Sequence, residues 1–224
     1  MISGDSYTVD GGHSPTRGAG EATDAAPTEA CSGQIILDGS FALDVRVEMQ
    51  GSLLWRIILG SIREVTASSP VLPLTTECGE ASPNAPIVLA LLPRLLSGRV
   101  RFAVDSKFRL LDVLTMEGER VGHIRLANVL TSFQRRVFAV LLKVPAGETR
   151  TYRAVAEAVG SSPRAVGQAL ARNPLPLLVP CHRVVAGNHK LGGFSAPDGA
   201  RLKRLLLAAE SSAQGASGTA QVEN

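Results

Sequence analysis

The residues with the clearest chemical potential are a cysteine and a histidine that follow one another in an apolar run. Cys181, His182 and Arg183 lie in the stretch Asn173-Pro-Leu-Pro-Leu-Leu-Val-Pro-Cys-His-Arg-Val-Val185. A cysteine acts as a nucleophile through its thiolate, which neighbouring cationic groups stabilise. The alternative is an inert thiol, because free cysteine also packs as a small apolar side chain. From these residue types alone, both interpretations of Cys181 stay open.

Positive charge is concentrated in the part of the chain that surrounds this stretch. Residues 131–210 contain 12 Lys or Arg and 4 Asp or Glu, a net charge of +8, whereas residues 1–130 carry a net charge of −4. A basic surface is what phosphate contacts with DNA require. A basic face exposed only to solvent would have the same composition, so the charge pattern allows DNA binding without establishing it.

The cysteine pattern indicates neither a disulfide framework nor a zinc site. Cys31, Cys78 and Cys181 are scattered, odd in number and without C-x-x-C spacing. We therefore expect reduced thiols, no bound metal and a cytoplasmic location. The chain also lacks an apolar run of the ~18 residues that span a membrane and a signal-peptide pattern at its N-terminus, so we expect no membrane partner.

Composition divides the 224-residue chain into four segments. Residues 1–33 are rich in small and polar side chains and predict a disordered tail. Residues 34–127 predict a small α+β scaffold domain, and residues 128–210 a mainly helical domain that contains the Cys181 stretch. Residues 211–224 are again small and polar, which predicts a flexible tail.

The first domain shows signals for both strands and a helix. Apolar and polar residues alternate over Phe41–Met49, which predicts a half-buried strand, and Leu53–Leu59 reads as the second strand of a hairpin. Four prolines in Ser68–Pro86 indicate a loop. Ile87–Leu96 predicts a short helix, and Phe102–Leu114 contains further strand-like sequence.

Helix boundary signals are strong in the second domain. Thr131-Ser-Phe-Gln134 has the pattern of a capping box at a helix start. Thr151–Val159 predicts a second helix that Gly160 ends. A serine cap followed by proline opens a third helix from Pro163 to about Arg172. The last two helices, joined by a tight turn, predict a helix-turn-helix.

The third helix carries side chains that suit a DNA groove. Arg164 stands at its leading end, and Ala165, Gly167 and Gln168 follow. Small side chains let a helix approach DNA closely, although they would equally suit packing against another helix. A last helix is predicted after Asp198 as its cap. Its buried stripe is predicted to be Leu202, Leu205, Leu206 and Ala209, with Arg201, Lys203 and Arg204 largely outside it.

The Cys181 stretch resembles the active-site signature of the O6-alkylguanine-DNA alkyltransferases, suicide DNA-repair proteins that take an alkyl group onto this cysteine. The resemblance covers about Thr131 to Glu210. It implies irreversible transfer of a methyl or larger alkyl group from O6-alkylguanine, and possibly O4-alkylthymine, in flipped-out DNA to Cys181. It further implies double-stranded DNA with alkylated guanine as partner, a monomer without cofactor, and association with the nucleoid or a eukaryotic nucleus.

The resemblance assigns roles to individual residues. Cys181 is similar to the alkyl acceptor, and His182 to the histidine that deprotonates it through a bound water. Glu210 matches the glutamate that orients this histidine, and Asn173 the asparagine that helps hold the active-site turn. Tyr152 matches the tyrosine beside the flipped base.

Further residues are placed at the substrate and at the DNA. Arg164 matches the arginine that fills the hole left in the duplex, and Ser195 the serine that contacts the guanine oxygen. Phe194 replaces a more usual tyrosine. We also expect Val179 to contact the substrate and Arg183 to contact DNA.

Two other functions fit parts of this pattern. One is a helix-turn-helix binding module, or an alkyltransferase-like protein that flags lesions without repairing them; such proteins lack the acceptor thiol, which this chain has at Cys181. The other is a cysteine hydrolase. Adjacent Cys181 and His182 on one strand would point to opposite faces, which does not suit direct proton abstraction.

Overall fold

The computed structural model describes residues 27, 29–37, 39–65, 84–127, 130–187 and 190–218, with side chains up to residue 213. This part of the chain has an α+β fold, as expected. Its strands are β1 (Glu29–Leu37), β2 (Phe41–Gln50), β3 (Leu53–Glu64), β4 (Val100–Val104), β5 (Leu110–Thr115), β6 (Arg120–Arg125), β7 (Arg150–Thr151) and β8 (Val184–Val185). Its α-helices are α1 (Asn84–Leu96), α2 (Ser132–Leu141), α3 (Tyr152–Ala158), α4 (Pro163–Ala171) and α5 (Gly199–Gly218).

Some predictions fall outside the described residues. They concern the tail up to residue 26, most of the loop that was predicted between Ser68 and Pro86, and Cys78. The helix predicted after that loop begins earlier than expected, at Asn84, so Pro86 lies in its first turn. Proline is tolerated there because the first amides of a helix have no intrahelical acceptor.

The first sheet is an antiparallel meander in the order β1-β2-β3. The predicted hairpin of β2 and β3 is confirmed, and Gly51 in its turn has a φ of 55°, a left-handed conformation that glycine adopts readily. Along β2, Leu43, Val45 and Val47 are buried while Arg46 is exposed. The alternation therefore directs one face of the strand into the core.

Strand β1 shows that the predicted disordered tail, residues 1–33, is too long. Residues 29–33 belong to this strand and pair with β2, and Cys31, Ile35 and Leu37 are buried. The small side chains at its start carry little apolar signal, but pairing with β2 supplies the hydrogen bonds that order them. Cys31 is disulfide-bonded, so the expectation of reduced thiols throughout the chain is wrong at this position.

A second antiparallel sheet, in the order β4-β5-β6, accounts for the strand-like sequence before residue 127. It meets the first sheet where the Ala127 amide donates to the Leu54 carbonyl at 2.9 Å. The buried apolar side chains of both sheets, α1 and the C-terminal helices form one continuous core. The two predicted domains therefore share a hydrophobic interior.

The predicted boundaries of the C-terminal helices are largely confirmed. The Thr131 hydroxyl accepts from the Gln134 amide at 3.2 Å while the Gln134 side chain accepts from the Thr131 amide at 3.0 Å, which is the capping box of α2. Helix α3 ends before Gly160, whose φ is 61°. Ser162 caps α4 through the Ala165 amide. Helices α3 and α4 thus form the predicted helix-turn-helix arrangement.

Helix α5 differs from its prediction in three ways. It continues to Gly218, so residues 211–218 of the predicted flexible tail are helical. The Asp198 side chain accepts from the Ile62 amide of β3 at 3.0 Å and thereby ties the start of α5 to the first sheet. Lys203, expected outside the buried stripe, is fully buried, whereas Leu202 and Leu206 are buried as predicted.

Candidate active site and DNA-facing surface

Cys181 lies in a tight turn. Several prolines precede it, and a backbone hydrogen bond closes it. A 3-10 turn covers Cys181–Arg183, and the Cys181 amide donates to the Val179 carbonyl at 2.8 Å. Strand β8 follows this turn and pairs in parallel with β7. Strand β7 lies directly before α3 in the chain. Cys181 and His182 therefore lie in a turn, as the predicted active-site turn requires, and prolines 174, 176 and 180 disfavour regular strand pairing here.

The Asn173 side chain binds three groups at the start of this turn and in the segment before it. Its side-chain amide donates to the Cys181 sulfur at 3.3 Å and to the Val179 carbonyl at 3.1 Å. Its side-chain oxygen accepts from the Leu175 amide at 3.0 Å. Asn173 therefore connects the sulfur to the backbone at Leu175 and Val179, while its predicted role in holding the active-site turn stays a prediction.

His182 and Glu210 form a fully buried hydrogen-bonded pair. His182 Nε2 lies 2.7 Å from Glu210 Oε1, and both side chains are completely inaccessible to solvent. Burial lowers the pKa of His182, although the Glu210 carboxylate acts in the opposite direction. A neutral imidazole that donates from Nε2 carries its lone pair on Nδ1. This nitrogen is buried and has no hydrogen-bond partner among the described residues, so it is available as a base.

Arg183 was predicted to contact DNA, but its side chain is buried beneath the active-site turn. Its guanidinium donates from Nη2 to Glu210 Oε1 at 2.7 Å and from Nε to both carboxylate oxygens at 3.0 and 3.1 Å. Nη1 donates to the Val144 carbonyl at 2.6 Å. A buried guanidinium needs such a partner for its charge. Arg183 therefore serves the Glu210 network.

Glu210 is held as a carboxylate by its surroundings. Burial alone would raise its pKa, but the hydrogen bonds and positive charge of His182 and Arg183 lower it to about 2. The Gly147 amide adds a further hydrogen bond to Oε2 at 3.0 Å. Glu210 therefore stays ionised at neutral pH, as an orienter of His182 requires.

Lys203 is a residue of this site that the sequence interpretation missed. Its ammonium donates to the Val184 carbonyl at 2.6 Å and to the Gly193 carbonyl at 3.3 Å, and it lies 5.9 Å from the centre of the Tyr152 ring. Burial lowers its pKa to about 8, whereas the charge of Cys181 acts to raise it. Lys203 precedes Glu210 by seven residues, a spacing that places both on one face of a helix and could have indicated it.

Tyr152 lies between two glycines at the start of α3. A Cβ atom on Gly192 would lie 3.2 Å from its ring, and one on Gly167 would lie 3.9 Å from it. The hydroxyl donates to the Gly193 carbonyl at 3.5 Å. Burial and the nearby charge of Cys181 raise the pKa of Tyr152, so its hydroxyl stays protonated at neutral pH.

Cys181 lies in the wall of a cavity of about 590 Å³. Tyr152, Phe194 and Ser195, which were predicted to contact the substrate, line it, and so does Asn173. Val179 does not line it, because this side chain is fully buried; its carbonyl instead accepts from Asn173. The sequence interpretation missed one part of the wall, Ile57, Ile58 and Leu59 of strand β3.

Burial raises the pKa of the Cys181 thiol. The hydrogen bond from Asn173 and the positive charge of Lys203 act in the opposite direction. A buried thiol of this kind needs a base to remove its proton before it can react. His182 carries a free Nδ1 next in sequence, which fits that requirement.

The predicted DNA-facing residues of α4 lie at the surface. Arg164 and Gln168 are exposed, and Ala165 and Gly167 are half-buried. A groove of about 730 Å³ runs along this face, with Arg153 and Arg164 among its lining residues. Tyr152 and Gly167 line both this groove and the Cys181 cavity. The helix-turn-helix surface and the cysteine are therefore neighbours.

The described residues were also considered for metal binding and for membrane spanning. No group of three or more His, Cys, Asp or Glu side chains within the described ranges is arranged to hold a metal ion. None of the helices in this part of the chain combines the length and apolar character needed to cross a membrane.

Comparisons with known proteins point to one family. Residues 132–212 match the family model of the 6-O-methylguanine DNA methyltransferase DNA-binding domain. A methylated-DNA–protein-cysteine methyltransferase of Metallosphaera sedula is 58% identical over 81 residues, which cover 36% of this chain and 50% of the relative. The namesake from Archaeoglobus fulgidus is 46% identical over 99 residues, 42% of this chain and 66% of the relative. The chain thus spans between half and about two thirds of these curated relatives.

Solved structures agree with this result over more of the chain. Mycobacterium tuberculosis OGT, crystallised in complex with DNA, is 27% identical with a TM-score of 0.51, covering 76% of this chain and 88% of its own. The O6-methylguanine-DNA methyltransferase of Pyrococcus kodakaraensis has a TM-score of 0.52 at 23% identity, covering 81% and 98%, and shares the fold. Residues 132–212 are thus similar to the DNA-binding domain of the O6-alkylguanine-DNA alkyltransferases, and the described part of the chain shares their fold.

Proposed function

We propose that this protein repairs DNA by transferring an alkyl group from the O6 atom of guanine irreversibly to Cys181. The observation that carries the proposal is a buried thiol that accepts a hydrogen bond from Asn173 and is followed in sequence by a buried, hydrogen-bonded His182–Glu210 pair. Asn173 donates to the sulfur, His182 presents a free Nδ1, and Glu210 fixes the opposite nitrogen of the same imidazole. Nucleophile, base and orienter are the components that covalent catalysis by a cysteine requires.

In the proposed reaction, one S–C bond forms as one O–C bond breaks. The Cys181 thiol gives its proton to Nδ1 of His182, directly or through a water molecule, and the thiolate attacks the alkyl carbon attached to O6. The departing guanine takes up a proton, which the protonated hydroxyl of Tyr152 in the wall of the same cavity could donate. The product thioether has no leaving group that returns the thiol, so each molecule reacts once.

The neighbouring groove suggests how the substrate arrives. O6 of guanine is inside the duplex stack, so the nucleotide must rotate out at a cost of a few kcal/mol. The groove with Arg153 and Arg164 offers positive charge for the phosphate backbone and continues to the cavity past Tyr152. We propose that Arg164 enters the space vacated by the base. Transfer from O4-alkylthymine would use the same path.

Intact-protein mass spectrometry tests the proposal. After incubation with duplex DNA that contains one O6-methylguanine, the protein should become heavier by one methylene group, and the DNA should contain guanine. Peptide mapping should place the methyl group on Cys181. A protein that binds this DNA but stays unmodified would instead be a lesion-flagging relative, and the proposal would be wrong.

A further inference from the structure

Strand β4 forms one edge of the second sheet, because the strand order is β4-β5-β6. It pairs with β5 in an antiparallel register, next to which the Asp105 amide donates to the Leu110 carbonyl at 3.2 Å. The backbone groups of a strand in such a pair point alternately toward and away from its partner. The amides and carbonyls of Phe102 and Val104 therefore point away from the sheet. No described residue forms a backbone hydrogen bond with these outward groups.

This free edge borders a groove of about 460 Å³, which we call the β4 groove. Its opposite side is formed by the segment between α2 and β7 and by the residues that lead to the active-site turn. Its apolar lining includes Phe102, Leu114, Met116, Leu142, Val144 and Leu178. A concave and mainly apolar surface of this size is typical of a binding site.

The charged residues that line the β4 groove are all basic. Arg101 and Lys143 are exposed, and neither forms an ion pair or a hydrogen bond within the described part of the chain. The third, Arg183, is already paired with Glu210. No acidic residue is among the described residues that line this groove. The two exposed cations thus complement a negatively charged partner.

We infer that the β4 groove binds an extended segment of another protein in which apolar and acidic residues alternate. The segment joins the second sheet as a further strand beside β4. Its backbone bonds to the outward groups of Phe102 and Val104, its apolar side chains enter the groove, and its carboxylates pair with Arg101 and Lys143. In strand addition of this kind, the backbone hydrogen bonds supply affinity and the alternate side chains supply specificity.

The position of the β4 groove separates this interaction from the proposed alkyl transfer. None of its described lining residues also lines the Cys181 cavity or the groove along α4. A partner segment can therefore bind while the protein holds DNA. A second copy of the chain suits this edge less well, because pairing of two β4 strands brings the basic residues of both copies together, and like charges on paired strands are destabilising.

The test measures binding of a fluorescein-labelled heptapeptide of alternating glutamate and valine to the full chain by fluorescence anisotropy. A matched peptide with lysine in place of glutamate should not bind. Arg101→Glu should weaken binding by roughly tenfold or more, because it places like charges against each other. Arg125→Glu changes an exposed arginine of β6 that does not line the groove, and it should leave the affinity unchanged.

Amide hydrogen exchange tests the backbone contacts without any substitution. The glutamate peptide should slow exchange at the outward amides of Phe102 and Val104. Exchange at Arg101 and Ala103, whose amides point to β5, should change little. Val104→Pro removes one outward amide and should weaken peptide binding, and an edge strand tolerates proline where the amide is not part of the ladder.

Four results would overturn the inference. Absence of peptide binding would mean that the basic residues only keep this edge from pairing. Equal binding of the lysine peptide would indicate unspecific apolar contact. A concentration-dependent dimer that Val104→Pro abolishes would assign the edge to a second copy of the chain. Weaker binding of duplex DNA by Arg101→Glu, with unchanged affinity for the peptide, would assign this surface to DNA.

Discussion

The charged side chains of the C-terminal half occur in two very different settings. Behind Cys181, His182, Arg183 and Glu210 are buried and hydrogen-bonded to one another. On helix α4, by contrast, the Arg164 side chain is exposed to solvent. Under the proposed function, this difference corresponds to a division of labour in which the buried network prepares the chemistry and the exposed face meets the DNA. Substitutions in the two regions should therefore have separable effects.

The largest effect is expected at Cys181 itself. Cys181→Ala should abolish alkyl transfer completely, because no other described cysteine is a free thiol. Affinity for duplex DNA should stay within about twofold of the wild type, since phosphate contacts come from the surface. Mass spectrometry and a DNA-binding titration measure the two properties. Methylation of Cys31 or Cys78 in the wild type would contradict this assignment.

Glu210→Gln should cause the next largest loss. It weakens the orientation of His182 and leaves the Arg183 guanidinium buried without a carboxylate, which typically costs about 3–5 kcal/mol. We expect transfer to slow by about 100-fold, a typical contribution of general base catalysis. Single-turnover rates should be compared with those of Glu157→Gln, an exposed position on α3 that should behave like the wild type.

The same substitution should change how stability depends on pH. The pKa of Glu210 is lowered from 4.5 to about 2 in the folded protein, so the carboxylate stabilises the fold above pH 4.5, and this contribution disappears as the pH falls through about 2. The expected contribution is on the order of 3 kcal/mol. Denaturant unfolding from pH 5 to pH 2 should show a shallower loss for Glu210→Gln than for Glu157→Gln. Parallel curves would disprove the stabilising role.

We expect an intermediate loss of rate at Lys203. Its side chain is buried, like the network of His182, Arg183 and Glu210, but it contacts Gly193 and Tyr152 in the cavity wall. Lys203→Met removes a positive charge near the sulfur and two hydrogen bonds to backbone carbonyls. Transfer at neutral pH should slow by roughly tenfold, the loss of about one pKa unit of thiolate stabilisation. The conservative variant Lys203→Arg should restore part of the rate if the charge matters.

A pH profile separates the charge of Lys203 from its packing. Its pKa is lowered from 10.5 to about 8 in the folded protein, so the ammonium is charged below pH 8 and loses its proton above it. The ratio of wild-type to Lys203→Met rates should therefore be largest below pH 8 and should decrease as the pH rises through 8. A ratio that does not change with pH would indicate that Lys203 only supports the structure.

The sequence predicts local features of this molecule better than long-range ones. The capping box at Thr131 and the glycine after α3 were predictable because the residues that form them are neighbours in the chain. Arg183 was misplaced because its partner Glu210 is 27 residues away, and the burial of Lys203 depends on the Val184 and Gly193 carbonyls. Charged side chains are ordinarily exposed, and only such distant partners reverse that expectation.

The contribution of strand β3 to the cavity also could not be predicted from the sequence. The sequence around Ile57, Ile58 and Leu59 predicts an apolar strand, and the structure confirms that strand as β3. Their position beside Cys181 depends on tethers to Pro174 and Asp198, more than 100 residues later. The family resemblance covered only the C-terminal half, so no motif indicated this contact. The roles of the predicted site residues in catalysis stay predictions until the substitutions are measured.

The effect expected at Arg164, on the exposed side of the comparison, is confined to one kind of substrate. If its side chain replaces the flipped base, Arg164→Ala should slow transfer from duplex DNA by roughly tenfold, part of a flipping cost of a few kcal/mol. Transfer from free O6-benzylguanine, which needs no flipping, should be unchanged. Arg204→Ala, which removes an exposed arginine from α5, serves as the control and should affect neither substrate.

Three outcomes of this experiment have distinct meanings. A loss confined to duplex DNA supports insertion of Arg164 into the stack. Weaker binding to every duplex, with a salt dependence that is lower by about one unit, would make Arg164 a phosphate contact instead. Equal losses on the duplex and on the free base would mean that Arg164 supports the cavity, and the division between a buried chemical network and an exposed recognition face would then be wrong, because a surface residue would be controlling the reactivity of a buried thiol.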